Sequence, residues 1–134
     1  VHGFRDRFEE ILTYGIDFVF GNRDEALAIT GAENIGDAIE ALKEKDFTTV
    51  ITDGPDGSLI ITGENVIKNN GLEVKAVDTN GAGDMFAGAF MHAMLRGKEL
   101  RECGSFANLA ASKIVQTFGP RLKKEEYLNL SKNL

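Results

Sequence analysis

The chain has 134 residues, with 15 Lys and Arg against 21 Asp and Glu, a net charge of -6, one Cys, two His and no Trp. That length holds one domain or part of one, and an acidic surface repels the phosphates of nucleic acid, so no nucleic-acid partner is expected. The lone Cys103 excludes an internal disulfide and a Cys-based zinc site, His2 and His92 stand apart, and no apolar run approaches the roughly 18 residues that read as a membrane span.

The chain opens on Val1, already inside an amphipathic helix with Phe4, Phe8, Ile11 and Leu12 on one face. A start within an element reads as a fragment or a processed product, so the missing leader says little about localisation. Ile16 to Phe20 is a short apolar run of the kind found in strands covered on both faces. Gly21 and Asn22 end it, and Asn22 is placed to cap a helix through Ala26, Leu27 and Ile29 that stops at Gly31. A second helix carries Ile35, Ala38, Ile39 and Leu42, and Phe47 to Thr52 reads as the next strand.

A turn of Asp53, Gly54, Pro55, Asp56 and Gly57 leads to a strand over Ser58 to Thr62, and Thr62-Gly63-Glu64-Asn65 predicts a hairpin before Val66 and Ile67. Leu72 to Val77 is expected to form one more strand. From Ala82 the period turns helical, with Met85, Phe86, Ala89, Ala93 and Met94 in one stripe closed by Gly97. A last long helix, from about Leu100 to Thr117, carries Phe106, Ala107, Ala110, Ala111, Ile114 and Val115, and Lys123 to Leu134 follows as a solvated helix or fraying end. Early alternation of strands and helices predicts an α/β fold, with a parallel sheet flanked by helices and an antiparallel hairpin portion.

Asp78-Thr79-Asn80-Gly81-Ala82-Gly83-Asp84 carries the most chemistry, because it places small residues where a strand hands over to a helix. Backbone N–H groups at a helix N-terminus lack intrahelical partners and carry the positive end of the dipole, so Gly81, Ala82 and Gly83 let a phosphate come close. A carboxylate at Asp84 competes with that anion unless it takes a proton from an attacking hydroxyl. The plainer alternative is a tight turn with a dipole-favoured acid in the first helical turn.

Asn22-Arg23-Asp24-Glu25 sits at the carboxyl end of a strand, where open α/β sheets bind ligands, yet Asn22 and Glu25 also have the spacing of a capping box. Thr52-Asp53-Gly54-Pro55-Asp56-Gly57 follows another strand and reads equally well as an ordinary turn or as backbone brought close to a ligand. Cys103 has no His or redox motif nearby and reads as a small core residue. Asn108, polar amid an apolar helix face, is either at the surface or a buried amide that needs a partner.

In this order, the three motifs resemble the ribokinase-like (PfkB) family of carbohydrate and nucleoside kinases. Asp78 to Phe90 is similar to that family's C-terminal signature, Asn22 to Glu25 to its N-x-x-E motif, and Thr52 to Gly57 to its T-x-G-x-x-G turn. Asn80 together with Gly21-Asn22 leans toward the adenosine kinase branch. The resemblance covers about Asp17 to Gly119 and implies that residues 1–134 are the C-terminal, nucleotide and catalytic side of a three-layer ribokinase-like sandwich. That fold has a parallel-rich sheet between helices, and its lid and N-terminal half are absent here.

The same resemblance implies a cytoplasmic enzyme that transfers phosphate from ATP to a hydroxymethyl group of a nucleoside or sugar. Asp84 is then the general base, and the amides of Gly81, Ala82 and Gly83 form the anion hole. Asn22 and Glu25 order the waters of Mg²⁺, Thr52, Gly54 and Gly57 line the nucleotide site, and Asn108 approaches the adenine. A monovalent cation, K⁺, is placed near Asp78 and Asn80, with Pro120 in Gly119-Pro120-Arg121 at odds with the usual carbonyl ligands. Pairing into a homodimer runs through the lid in this scheme, with no membrane partner. The competing reading is a non-catalytic nucleotide-binding or interaction fragment, since the acceptor pocket lies mostly in the missing half.

Overall fold

The computed structural model describes residues 7, 10–12, 14–132 and 134. Of the expected opening helix, Phe4 and Phe8 lie outside the described residues, while Ile11 and Leu12 are helical. Nine principal elements follow: β1 (Phe18–Asn22), α1 (Arg23–Thr30), α2 (Ile35–Lys43), β2 (Thr48–Thr52), β3 (Gly57–Thr62), β4 (Asn65–Asn70), α3 (Ala82–Leu95), α4 (Leu100–Ile114) and α5 (Lys124–Ser131). The strands form a sheet in the order β1-β2-β3-β4. The chain divides into two compact units, Val1–Ile51 with Ile60–Val66, and Thr52–Leu59 with Ile67–Leu134.

In the first unit β1 lies two residues further along than the apolar run suggests, because Asn22 is at once its last residue and the cap of α1. Its extended backbone (φ -94°, ψ 176°) is what a cap requires. The Asn22 Oδ1 accepts the Glu25 N–H at 2.9 Å, and the Glu25 carboxylate accepts the Asn22 N–H at 2.8 Å, which completes a capping box. Gly31, at φ 72°, ends the helix as expected.

Thr48 donates its N–H to the Asp17 carbonyl at 2.9 Å. The two strands therefore meet start to start and run parallel, as strands joined through helices do. Val50, Ile51, Ile60 and Ile61 are buried to 1% exposure or less, with Ala38 and Leu42 of α2 also in the core. These are the β-branched runs that a strand covered on both faces needs. Replacing the cap, Asn22→Ala, is expected to lower stability by about 1 kcal/mol while Asn22→Asp stays near neutral, read as midpoint shifts in denaturant.

The hairpin joining β3 to β4 has Gly63 (φ 51°) at its first central position, where a type II′ turn favours glycine. In the second unit Gly71 donates its N–H to the Asp56 carbonyl at 3.3 Å, a register that puts Ser58 opposite Asn69. Gly54–Asp56 forms a single 3₁₀ turn closed by the Asp56 N–H on the Asp53 carbonyl at 3.0 Å, and the Asp53 N–H donates to the Gly57 carbonyl at 2.9 Å.

Leu72 to Val77 is not a strand. The segment leaves the sheet at Gly71 and stays irregular, with Leu72, Val74 and Val77 exposed. Its end is tied to a helix instead of a ladder, for the N–H groups of Val77 and Asp78 both reach the Val115 carbonyl, at 2.7 and 3.2 Å.

Helices α3 and α4 pack as an antiparallel pair, joined by a short connection in which Gly97 takes φ 77°. Small residues let them approach: Ala89 and Ala93 on α3, Ala107 and Ala110 on α4, with Phe86, Phe90 and Ile114 filling the remaining core. α4 ends at Ile114, slightly short of the expected Thr117. Cys103 is fully buried and its thiol donates to the Lys98 carbonyl at 3.5 Å. Burial, helped by the neighbouring Glu102 charge, pushes that thiol up and keeps it protonated, as suits a core residue. The C-terminal segment is a helix, α5, docked through Leu130. Among the described residues no helix is long and apolar enough to cross a membrane.

Candidate active site

The loop into α3 is held by Asp78. One carboxylate oxygen accepts the Asn80 N–H at 2.9 Å and the other accepts the Gly119 N–H at 3.1 Å. The first side chain thus ties the helix entry to the turn after α4, where Gly119 takes φ 95°. Gly81 caps α3 at φ 77°, a conformation that favours glycine, and a Cβ there would stand 3.0 Å from the Pro120 side chain. Pro120 therefore acts as a wedge against Gly81.

The Ala82 N–H is turned onto the Thr79 carbonyl at 3.2 Å, and Met85 donates to the Gly81 carbonyl at 2.9 Å. The N–H groups of Gly81, Gly83 and Asp84 have no acceptor among the described residues. At Gly83 a Cβ would meet nothing within 4 Å, so the backbone lies open to an approaching group. Unpaired donors, the positive end of a helix of 14 residues and open space at a glycine together suit an anion. Asp84 is exposed, and no ion pair or hydrogen bond holds its carboxylate among the described residues.

Two clefts of the second unit meet at this helix end. The first, about 690 Å³, is lined by Thr52, Gly54, Gly57 and Asn108 together with Ala82 and Gly83. That volume is in the range of small-molecule and cofactor sites. The second, about 790 Å³, is lined by Gly81, Asp84, Gly88, His92, Pro120 and Tyr127. Both clefts reach the same α3 terminus, the first lined there by Ala82 and Gly83 and the second by Gly81 and Asp84.

The folded chain thus brings Thr52, Gly54, Gly57 and Asn108 together with Ala82 and Gly83, and sets Asp84 beside Gly81. Asp78 and Asn80 are joined to each other. Asn22 and Glu25 belong to the first unit, where both are exposed and form the capping box. Among the described residues no group of three or more His, Cys, Asp and Glu is arranged around a common metal position.

Several lining residues escaped the sequence reading: Gly71 to Ala76, Thr79, Phe86, Ser112 and Val115. An irregular wall has no periodicity to read. The one available signal was Gly71 after two asparagines, and it becomes meaningful only once Pro55 is seen packed against it.

Comparison with known proteins follows the same lines. Residues 2–126 match the family described as "pfkB family carbohydrate kinase". The chain is 39% identical to the nucleoside kinase of Methanothermobacter thermautotrophicus over 104 residues, which are 77% of this chain and 33% of that protein. Adenosine kinase from Sinorhizobium meliloti superposes with a TM-score of 0.90 at 32% identity, over 100% of this chain and 42% of that one. Arabidopsis thaliana ribokinase, solved with ribose and ATP, superposes with a TM-score of 0.75 at 32% identity, over 87% of this chain and 41% of that one. The chain spans between a third and about two fifths of the length of these relatives. With the motifs, the α/β ribokinase-like fold and the profile match in agreement, the chain belongs to the pfkB family of carbohydrate kinases.

Proposed function

We propose that this chain supplies the phosphoryl-transfer side of an ATP-dependent kinase whose acceptor is a hydroxymethyl group of a nucleoside, adenosine-like in the first instance, or of a sugar. The observation that carries the reading is that two clefts reach one helix N-terminus, with the unpaired Asp84 carboxylate lining one and the open backbone of Gly83 lining the other. Asp84 takes the proton from the acceptor hydroxyl as its oxygen attacks phosphorus. The unpaired amides of Gly81 and Gly83 receive the oxygens of the phosphoryl group as it moves, the Ala82 N–H being held on the Thr79 carbonyl, and this is the positioning and charge stabilisation such transfers depend on.

Thr52, Gly54 and Gly57 hold the nucleotide in the first cleft. Asn22 and Glu25 are exposed to water, as an ion held through its own water shell requires, and we assign them to Mg²⁺. Bound Mg²⁺ would offset the charge of the ATP phosphates. We assign K⁺ to Asp78 and Asn80, where each Asp78 carboxylate oxygen, already accepting one backbone N–H, keeps a further lone pair. The use of ATP suits a cytoplasmic location.

The test is phosphoryl transfer from Mg-ATP to a panel of nucleosides and sugars by the full-length protein that carries this chain. Transfer to one acceptor is the expected result. Binding of Mg-ATP with no transfer to any acceptor would overturn the reading in favour of a non-catalytic nucleotide-binding protein.

A further inference from the structure

We infer that Asn108 is a positioning residue for the first cleft: its amide nitrogen clamps the carbonyls of Asn69 and Asn70 and so holds the cleft wall that begins at Gly71. This rests on the reading of that cleft as the nucleotide site. Asn108 is 8% exposed on the buried face of α4, one turn before the equally buried Ser112, where an amide must be paired to be tolerated. Its Nδ2 donates to the Asn69 carbonyl at 3.2 Å and to the Asn70 carbonyl at 3.1 Å, the end of β4. Both N–H bonds of the amide are therefore committed to backbone.

Immediately beyond Asn70 the chain becomes the wall of the cleft, and the space there is closed on glycine. A Cβ at Gly71 would overlap the Pro55 carbonyl and stand 2.8 Å from the Gly57 nitrogen, and one at Gly57 would overlap the Asn69 carbonyl. The Gly54 to Gly57 turn, the end of β4 and the wall are thus in direct backbone contact, and Asn108 is the side chain of α4 that holds this stack by the two carbonyls next to the wall. A shift of the clamp moves the wall and the turn together, against the amides of Gly83.

Asn69 provides the contrast. Its Nδ2 donates to the Arg101 carbonyl at 2.8 Å and to the Ser105 hydroxyl at 2.9 Å, about two turns and one turn earlier on α4. It does not line the cleft, whereas Asn108 does. One asparagine fastens strand to helix, and the other fastens the cleft.

Asn108→Asp keeps the shape and replaces the donor with an acceptor facing two carbonyls, and Asn108→Ser keeps a single donor in a smaller side chain. In the full-length protein, Asn108→Asp is expected to weaken Mg-ATP binding by about tenfold in calorimetric Kd and to raise KM for ATP in step, with kcat and acceptor KM within about threefold. Asn108→Ser is expected to fall between it and wild type. Asn69→Ala should lower Tm while leaving Kd within about twofold. If Asn108→Asp does not fold, the Ser variant decides. A folded variant with lower Tm and unchanged Kd reduces Asn108 to a packing residue and overturns the proposal. A wild type that binds no Mg-ATP overturns it together with the nucleotide reading. A wild type that binds Mg-ATP but phosphorylates nothing overturns only the kinase assignment, and the Kd comparison still decides the clamp.

Discussion

Asp84→Asn is expected to lower kcat by about three orders of magnitude while leaving the Kd for Mg-ATP within about twofold. The substitution is nearly isosteric, so it changes what the group can accept more than the room it occupies. Asp84 is exposed and holds no partner among the described residues, so no buried group is stranded by the change. Its structural contribution is the favourable placement of a negative charge in the first turn of α3, worth about 0.3 to 1 kcal/mol, too little to unfold a domain.

Removing that charge also lessens repulsion of phosphates beside the unpaired amides, which is why binding should be spared. Steady-state kinetics with the identified acceptor, paired with calorimetry of Mg-ATP, reads both quantities. A loss of kcat below about tenfold would remove Asp84 from the role of base.

Gly57→Ala is expected to cost more than about 4 kcal/mol of stability, beyond the range of an ordinary substitution. Gly57 sits at φ 100°, ψ -123°, a region that side chains with a Cβ rarely enter. The added carbon would overlap the Asn69 carbonyl and lie 2.6 Å from the carbonyl carbon of Asn70. Both are backbone atoms inside a paired strand, so neither can rotate away. Gly54 is the internal control: it takes φ 53° in the same turn, and a Cβ there meets nothing within 4 Å. Gly54→Ala should therefore cost only the left-handed strain of about 1 to 2 kcal/mol. Chemical denaturation of both variants checks this, and equal costs would show that the turn does not press on β4.

Much of this chain could be read without its fold. Asn22 and Gly31 bracket α1, Gly63 marks the hairpin and Gly97 separates two helices. Each states a local requirement, an unpaired terminal N–H or a positive φ, that neighbouring residues impose. Thr52, Gly54 and Gly57 were legible because small residues after a strand leave backbone exposed, and the Asp78 to Asp84 stretch because small residues open a helix. Leu72 to Val77 misled because its apolar character resembles a strand while pairing depends on a partner far along the chain. Here the partner is the Val115 carbonyl at the end of α4.

What tertiary structure alone decided is how those local pieces are used. Asn108 had two possible environments on sequence grounds, and only the approach of α4 to β4 makes it a buried clamp on two carbonyls 38 and 39 residues away. The tightness at Gly71, the wedge of Pro120 on Gly81 and the bridge from Asp78 to Gly119 have the same origin. Sequence by itself determined most of the elements, the glycine turns and the start of α3, because these rest on backbone chemistry within a few residues. The division of that terminus between two clefts, with Asp84 on one and Gly83 on the other, was decided by packing between distant segments, whose contacts no local pattern encodes.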